Sequence, residues 1–485
     1  MIFAMLIVLF ALVFLIIRNF KKGQRSLFEP ITLSVSQHVR HIELQQMSAE
    51  FGNFFTLAPK NGEGGTQFVT SDPAVANEIF VAKFQNFSDR KDFSSKTGHV
   101  FIASGDHWKT LRHNVSVFSN TKVKAFTPLL NAAVDSMLRT IAANEGKAID
   151  FHNTSLHLVA AILARIAFCC VHQRDHPAQF CDTYTAYAEQ LLLLKENARL
   201  FRALPPAKIG QNAQQQNGAN FDMFTELYKH ILRMELQKNH EQKQQQKNRM
   251  MEHQNNSPGD YDAYDEDCHL FACTLGNFFL ENAMKSVGID TIGHCLALVV
   301  HFMAHRPFVQ HRLREELTAN VVDDEVKLLP KLVKAVIKET LRLCPIVSFA
   351  SSRRCTPTPS SPGGVQLNSK IVLNVGDSVE VDVFTMGRNR AVWGEDAEQF
   401  RPERWLDGSL PADWKFHWLP FGGLGPRHCV GLPLANQVME MAISQLFRRF
   451  HFTSATDTST EEIRLVGSDV LWPEEVLIRA ESVND

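Results

Sequence analysis

Tyrosine is nearly missing from this chain, with 5 residues against 35 phenylalanines. Most of its aromatic bulk therefore carries no polar handle, which suits a large core or an apolar cavity. A surplus of one charge is missing too. At a net charge of −2 the chain lacks the basic excess that nucleic-acid binding calls for. Nine cysteines are scattered without a C-x-x-C pair or a zinc spacing, and Cys169 and Cys170 are adjacent. That pattern excludes a disulfide framework and a zinc ribbon, and fits a reducing compartment. Against these absences stand 485 residues, 45% hydrophobic and 21% charged, the balance of an ordinary globular protein.

Residues 1–17 are an unbroken apolar run, MIFAMLIVLFALVFLII. As a helix the run spans about 25 Å, close to the ~27 Å core of an endoplasmic reticulum bilayer. Arg18, Lys21 and Lys22 follow directly and no charge precedes the run. The positive-inside rule then predicts a single-pass anchor with the body of the chain cytosolic. A cleaved signal would want a basic start and a small-residue cleavage site, and neither is present. Residues 18–36 read as a linker whose only proline is Pro30, and 37–485 as the folded body.

The body is organised around Trp418-Leu-Pro-Phe-Gly-Gly-Leu-Gly-Pro-Arg-His-Cys429-Val-Gly431. An apolar helical pattern follows, through Leu434, Val438, Met441, Ala442 and Leu446. Cys429 is thus expected at a helix N-terminus, where free N–H groups and the dipole favour a thiolate. Such a thiolate is a soft ligand suited to haem iron. Gly425 and Gly431 would let backbone pass close to a flat macrocycle, and Arg427 is placed to meet a haem carboxylate. The bland reading of the loop is a glycine-rich turn with a buried cysteine.

Further motifs lie upstream. Trp108 and Arg112, four apart, share a helix face. Residues 268–317 give a long apolar helix pattern that contains Val287-Gly288-Ile289-Asp290-Thr291. A glycine and an acid–hydroxyl pair inside such a helix cost stability, although Gly288 could serve packing alone. Glu339 and Arg342 in Lys338-Glu-Thr-Leu-Arg342-Leu-Cys-Pro345 are spaced to pair on one helix face. Arg404 in Phe400-Arg-Pro-Glu-Arg404-Trp can complete a charge network with them. Near the N-terminus, residues 37–51 read as a helix, Phe54–Leu57 and Gln67–Thr70 as strands, and Ser71-Asp-Pro-Ala as a helix start. Residues 211–218 and 236–266 are polar stretches with no catalytic signal.

Together these motifs resemble the cytochrome P-450 family of haem-thiolate monooxygenases over roughly residues 50–475. The resemblance implies a mainly α fold with small β-sheets (α+β), and heme b held by the axial thiolate of Cys429. It implies that Trp108, Arg112 and Arg353 or its neighbour Arg354 bind haem propionates. Asp290 would guide protons and Thr291 would hold dioxygen. Glu339, Arg342 and Arg404 would lock the haem-side core. Expected partners are O₂, an NADPH-dependent flavoprotein reductase, a lipophilic small-molecule substrate and the endoplasmic reticulum membrane, with no nucleic acid. The segment from Met386 to Trp405 looks most like fungal microsomal members, in particular fatty-acid and alkane hydroxylases. Oxidation of secondary metabolites such as polyketides stands level with that branch. Two departures from the family pattern are Val287, which narrows the oxygen groove, and Leu424, which adds one residue between Phe421 and Cys429. They leave open a peroxide-using isomerase or dehydratase, or a haem-binding protein without turnover.

Overall fold

Short stretches of local grammar set the N-terminal architecture. The computed structural model describes residues 40–57, 65–90, 100–101, 103–114, 123–124, 126–169, 288–319, 321–322, 325–326, 329–348, 352–368, 371–456, 461–467 and 470–483. The expected anchor, the linker, Val287 and the polar stretches at 211–218 and 236–266 lie outside these residues. Among the described residues no single helix is long and apolar enough to cross a membrane.

Helix α1 (Arg40–Phe51) leads into β1 (Phe54–Leu57) and β2 (Gln67–Thr70), which pair antiparallel. Asp72 caps α2 (Pro73–Asn77), its carboxylate accepting the N–H groups of Ala74 and Val75, with Pro73 in the first turn. A wider helical turn, Glu78–Ala82, carries Phe80. Strand β3 (Asp89–Arg90) and helix α3 (Gly105–Asn114) follow. Next come α4 (Thr127–Ala142), β4 (Ile149–Asp150) and α5 (Phe151–Cys169).

The expected run at 268–317 is not one helix in its described part. It is α6 (Ile289–Ala304) and α7 (Pro307–Ala319), bent by 111° at the break between them. Pro307 has no N–H to continue the ladder of α6, but it is tolerated at the first position of a new helix. Helix α8 (Lys331–Leu343) is buried through its last two turns. Strands β5 (Arg353–Arg354), β6 (Gly364–Leu367), β7 (Ile371–Asn374) and β8 (Ser378–Val381) precede helix α9 (Leu432–Arg449). The last strands are β9 (Phe450–Ser454) and β10 (Leu477–Ser482).

Five strands form one sheet in the order β1-β2-β8-β5-β3, with β2 and β8 parallel and the other pairs antiparallel. A second sheet runs β9-β10-β4. Phe54, Phe68, Ile79, Phe80, Phe87, Val379 and Leu419 pack in one core cluster against the first sheet. Each large apolar side chain buried there contributes roughly 2 kcal/mol. The chain divides into two units. The first holds both sheets, α6 from Asp290 onward and every site residue discussed below; the second comprises residues 125–135 and 156–289.

Candidate active site

Two clusters emerge around the cysteine loop. In the first, the Glu339 carboxylate is fully buried and receives five hydrogen bonds. Oε1 accepts from Arg342 Nη2 (2.8 Å), Arg404 Nε (2.9 Å) and the Arg401 N–H (2.9 Å). Oε2 accepts from Arg342 Nε (2.9 Å) and the Trp405 indole (2.9 Å). Arg342 spends its remaining donors on the carbonyls of Gly387, Ala397 and Gln399. Arg404 uses its own on the Trp393 and Asp396 carbonyls. A buried charge network is stable only when satisfied in this way. Helical spacing paired Glu339 with Arg342, and the Phe400–Trp405 motif offered Arg404. The Trp405 indole and the Arg401 amide were missed, because a donor that depends on tertiary placement leaves no spacing signal.

In the second cluster the thiolate loop is held by its own backbone. Phe421 sits at φ 63°, and its carbonyl accepts the Cys429 N–H at 2.7 Å. Gly422, Gly423 and Gly425 all have φ between 78° and 84°. This glycine run absorbs the extra residue, while Leu424 packs against the core cluster. At Gly425 a Cβ would lie 2.0 Å from the Phe80 carbonyl oxygen. Its close approach is to the protein's own backbone. A Cβ on Gly431 would stand 3.7 Å from Cys429 Sγ, an ordinary contact.

Cys429 is half-buried just before α9, whose cap is Gly431. Burial pushes the thiol's pKa up, and this outweighs the N–H groups of Gly431 and Leu432 and the charges of Arg112 and Arg90, which pull it down.

Arg427 is buried, donates to the Ala103 carbonyl at 2.7 Å, and stacks its guanidinium 4.3 Å from the centre of the Trp108 ring. Arg112 Nη1 donates to the His428 carbonyl at 2.8 Å. The pair on α3 thus clamps the two residues that precede Cys429. On β5 the pleat separates the two neighbouring arginines: Arg353 is buried and Arg354 is exposed.

Arg90, at the end of β3, was not foreseen. Its guanidinium is buried against the Phe101 ring (3.9 Å), and its Nε and Nη1 have no hydrogen-bond partner among the described residues. Arg427 Nε and Nη1 are in the same position. Burial first, and then repulsion from neighbouring arginines, lower the pKa values of all three buried arginines: Arg90 well below its usual value, Arg353 to about 9, and Arg427 to about 10 although Asp89 pulls it up. A buried cluster of cations with unspent donors calls for an anionic group. The two carboxylates of a haem fit it, beside a thiolate for the iron. The only sequence trace of Arg90 was a lone arginine in a loop-like segment.

Asp290 and Thr291 lie in the first turn of α6, both half-buried, on a different element from the thiolate loop. The Asp290 carboxylate stands 3.9 Å from His294 Nε2.

The family profile described as Cytochrome P450 matches residues 27–476. The chain belongs to the cytochrome P450 family. Among its relatives in Caenorhabditis elegans is cytochrome P450 CYP13A4, 26% identical over 482 residues, covering 90% of this chain and 88% of that protein. Another, CYP13A1, is 27% identical over 476 residues with the same coverages. These names carry the family but no substrate. They do not support placement with fungal microsomal enzymes. As a P450 monooxygenase, the protein has haem as its cofactor, bound through an axial cysteine thiolate, and Cys429 is the cysteine of that loop.

Proposed function

We propose that this P450 inserts one atom of O₂ into an apolar organic substrate, with electrons from NADPH delivered by a flavoprotein reductase. The observation that carries this reading is the acid–hydroxyl pair Asp290–Thr291, half-buried in the first turn of a mainly apolar helix. A peroxide-using isomerase or dehydratase needs no such pair. Bound haem supplies the oxidising chemistry at an iron held by Cys429. Arg90, Arg353 and Arg427 would hold its carboxylates together with Trp108 and Arg112, which also fix the loop before Cys429. Thr291 orients dioxygen by a hydrogen bond, and Asp290 holds the proton to be delivered.

The substrate is a lipophilic small molecule. The fatty-acid, alkane and polyketide classes rest on haem-side segments of the sequence, so only their shared apolar character enters this reading. Residues 1–17 anchor the chain in the endoplasmic reticulum membrane with the catalytic body cytosolic. A high-salt wash that releases the full-length chain from microsomes would defeat the anchor, because burial of apolar residues is not screened by salt.

The deciding experiment is product formed per NADPH consumed, in wild type and Thr291→Ala. The expected result is intact haem binding with electrons diverted to hydrogen peroxide. Unchanged coupling in the variant overturns the assignment. Turnover with hydroperoxide and none with NADPH would select the isomerase.

A further inference from the structure

Behind Asp290, two histidines from separate elements share one buried site. His294 lies one turn further along α6, its Nε2 3.9 Å from Asp290 Oδ1. Its ring meets that of His152, on the first turn of α5, at 4.9 Å between centroids and 57° between planes. Both side chains are buried, His152 at 5% and His294 at 4% exposure, whereas Asp290 keeps 17% of its side chain open. Ser155 Oγ latches the two elements together. It lies 2.7 Å from the Gly293 carbonyl and 2.8 Å from the His152 carbonyl, its single proton serving one at a time. Trp472, 6.3 Å from His294, covers another side of the imidazole. Asp150 and Asn153, flanking His152, are exposed, so the start of α5 stands at the surface.

We propose that His152 and His294 form a proton relay from solvent at the start of α5 to Asp290. The proposal rests on the reading of Asp290 as the proton holder. An imidazole has one nitrogen to receive a proton and another to release one, so two in contact move charge through a region where a lone carboxylate would be stranded. With their ring centroids 4.9 Å apart the two imidazoles are in contact. In each passage, once His294 Nδ1 is protonated, Nε2 gives its proton through a bridging water to the Asp290 carboxylate 3.9 Å away. His294 Nδ1 takes one from His152, and His152 is reprotonated from solvent. No net charge stays buried. Among the described residues, the titratable groups facing His294 are Asp290 from its own helix and His152 from α5. Trp472 brings no titratable group, and Glu474 and Glu475 beyond it are exposed.

A structural role for two stacked histidines would not require them to titrate. The first test is therefore pH-dependent hydrogen–deuterium exchange at the histidine C2 positions, followed by mass spectrometry on the resting haem-loaded protein. Both His152 and His294 should show a protonation step as pH is varied. Asp290→Asn should lower the His294 midpoint, since a nearby carboxylate favours imidazolium. A flat profile for either histidine overturns the relay without any variant having to fold. The second test is the solvent deuterium isotope effect and the NADPH coupling of His294→Gln and His152→Gln, with the reduced carbon monoxide spectrum reporting an intact thiolate–haem site. The expected result is about tenfold slower turnover, a raised isotope effect and more hydrogen peroxide. If both variants behave as wild type while Asp290→Asn is uncoupled, the relay is wrong and the role of Asp290 stands. If Asp290→Asn is also unchanged, the reading of Asp290 fails first and takes the relay with it.

Discussion

Arg404 Nε and Glu339 Oε1 lie 2.9 Å apart with 1% and 0% of their side chains exposed, although 65 positions separate them in the chain. The bond joins helix α8 to the turn at Pro402–Trp405 and closes the network around Glu339. Removing the charge of Glu339 takes its carboxylate partner from buried Arg342 and leaves Arg404 with Asp396 alone, at 3.3 Å. Glu339→Gln should cost about 3–5 kcal/mol, seen as a large fall in denaturation midpoint and in haem incorporation. Arg342→Lys should also fail, because an ammonium cannot reach the carboxylate and three carbonyls together. Wild-type stability in either variant would show the network to be dispensable.

Gly425 is required by what lies opposite it. A Cβ would meet the Phe80 carbonyl at 2.0 Å on a backbone already at φ 84°. Gly425→Ala should therefore displace the thiolate loop and sharply lower the ratio of haem to protein. Gly408, at φ 76° with nothing within 4 Å of a Cβ, is the control. Its alanine variant should cost only about 1–2 kcal/mol and leave haem content intact. Equal haem loss in both would reduce the effect to backbone strain.

Arg90 should act oppositely on the haem-free and haem-loaded proteins. Without haem it is one of several buried cations that repel one another; with haem it has carboxylates to bind. Arg90→Gln should hold haem less tightly while leaving the melting temperature of the haem-free protein unchanged or raised. Retention equal to wild type would remove Arg90 from the haem site.

His41 on α1 makes stability depend on pH. It is buried at 2% exposure beside Phe384, with Nδ1 unpartnered among the described residues. Burial first, and then the charge of Arg388, lower its pKa to about 4. Between pH 4 and 6.5 the unfolded chain binds more protons at this residue than the native one. Its contribution is thus present above pH 6.5 and lost as pH falls toward 4, by about 3 kcal/mol. Asp382 runs the other way, since burial raises its carboxyl to about 6 and protonation favours the native state as pH falls. Chemical denaturation at pH 4.5 and 7 should show a smaller acid loss in His41→Asn and a larger one in Asp382→Asn. An acid loss unchanged by His41→Asn would overturn the assignment.

The sequence by itself determined the local features. Asp72 and Pro73 start a helix because a carboxylate and a proline suit its free N–H groups. Glu339 and Arg342 pair because three residues bring side chains to one helix face. Cys429, between Arg427 and Gly431 ahead of an apolar helix, marked the thiolate loop. Only the tertiary structure decided what crosses the chain. The pleat of β5 chose Arg353 over Arg354 for the interior. Gly425 answers to Phe80, 345 positions earlier. Arg90 joined the buried cation cluster, and His152 met His294, through contacts between distant segments that follow no period. The helix-start N–H groups beside Cys429 act within one turn and are legible from composition, but the burial of its sulfur is set by every segment packed around it.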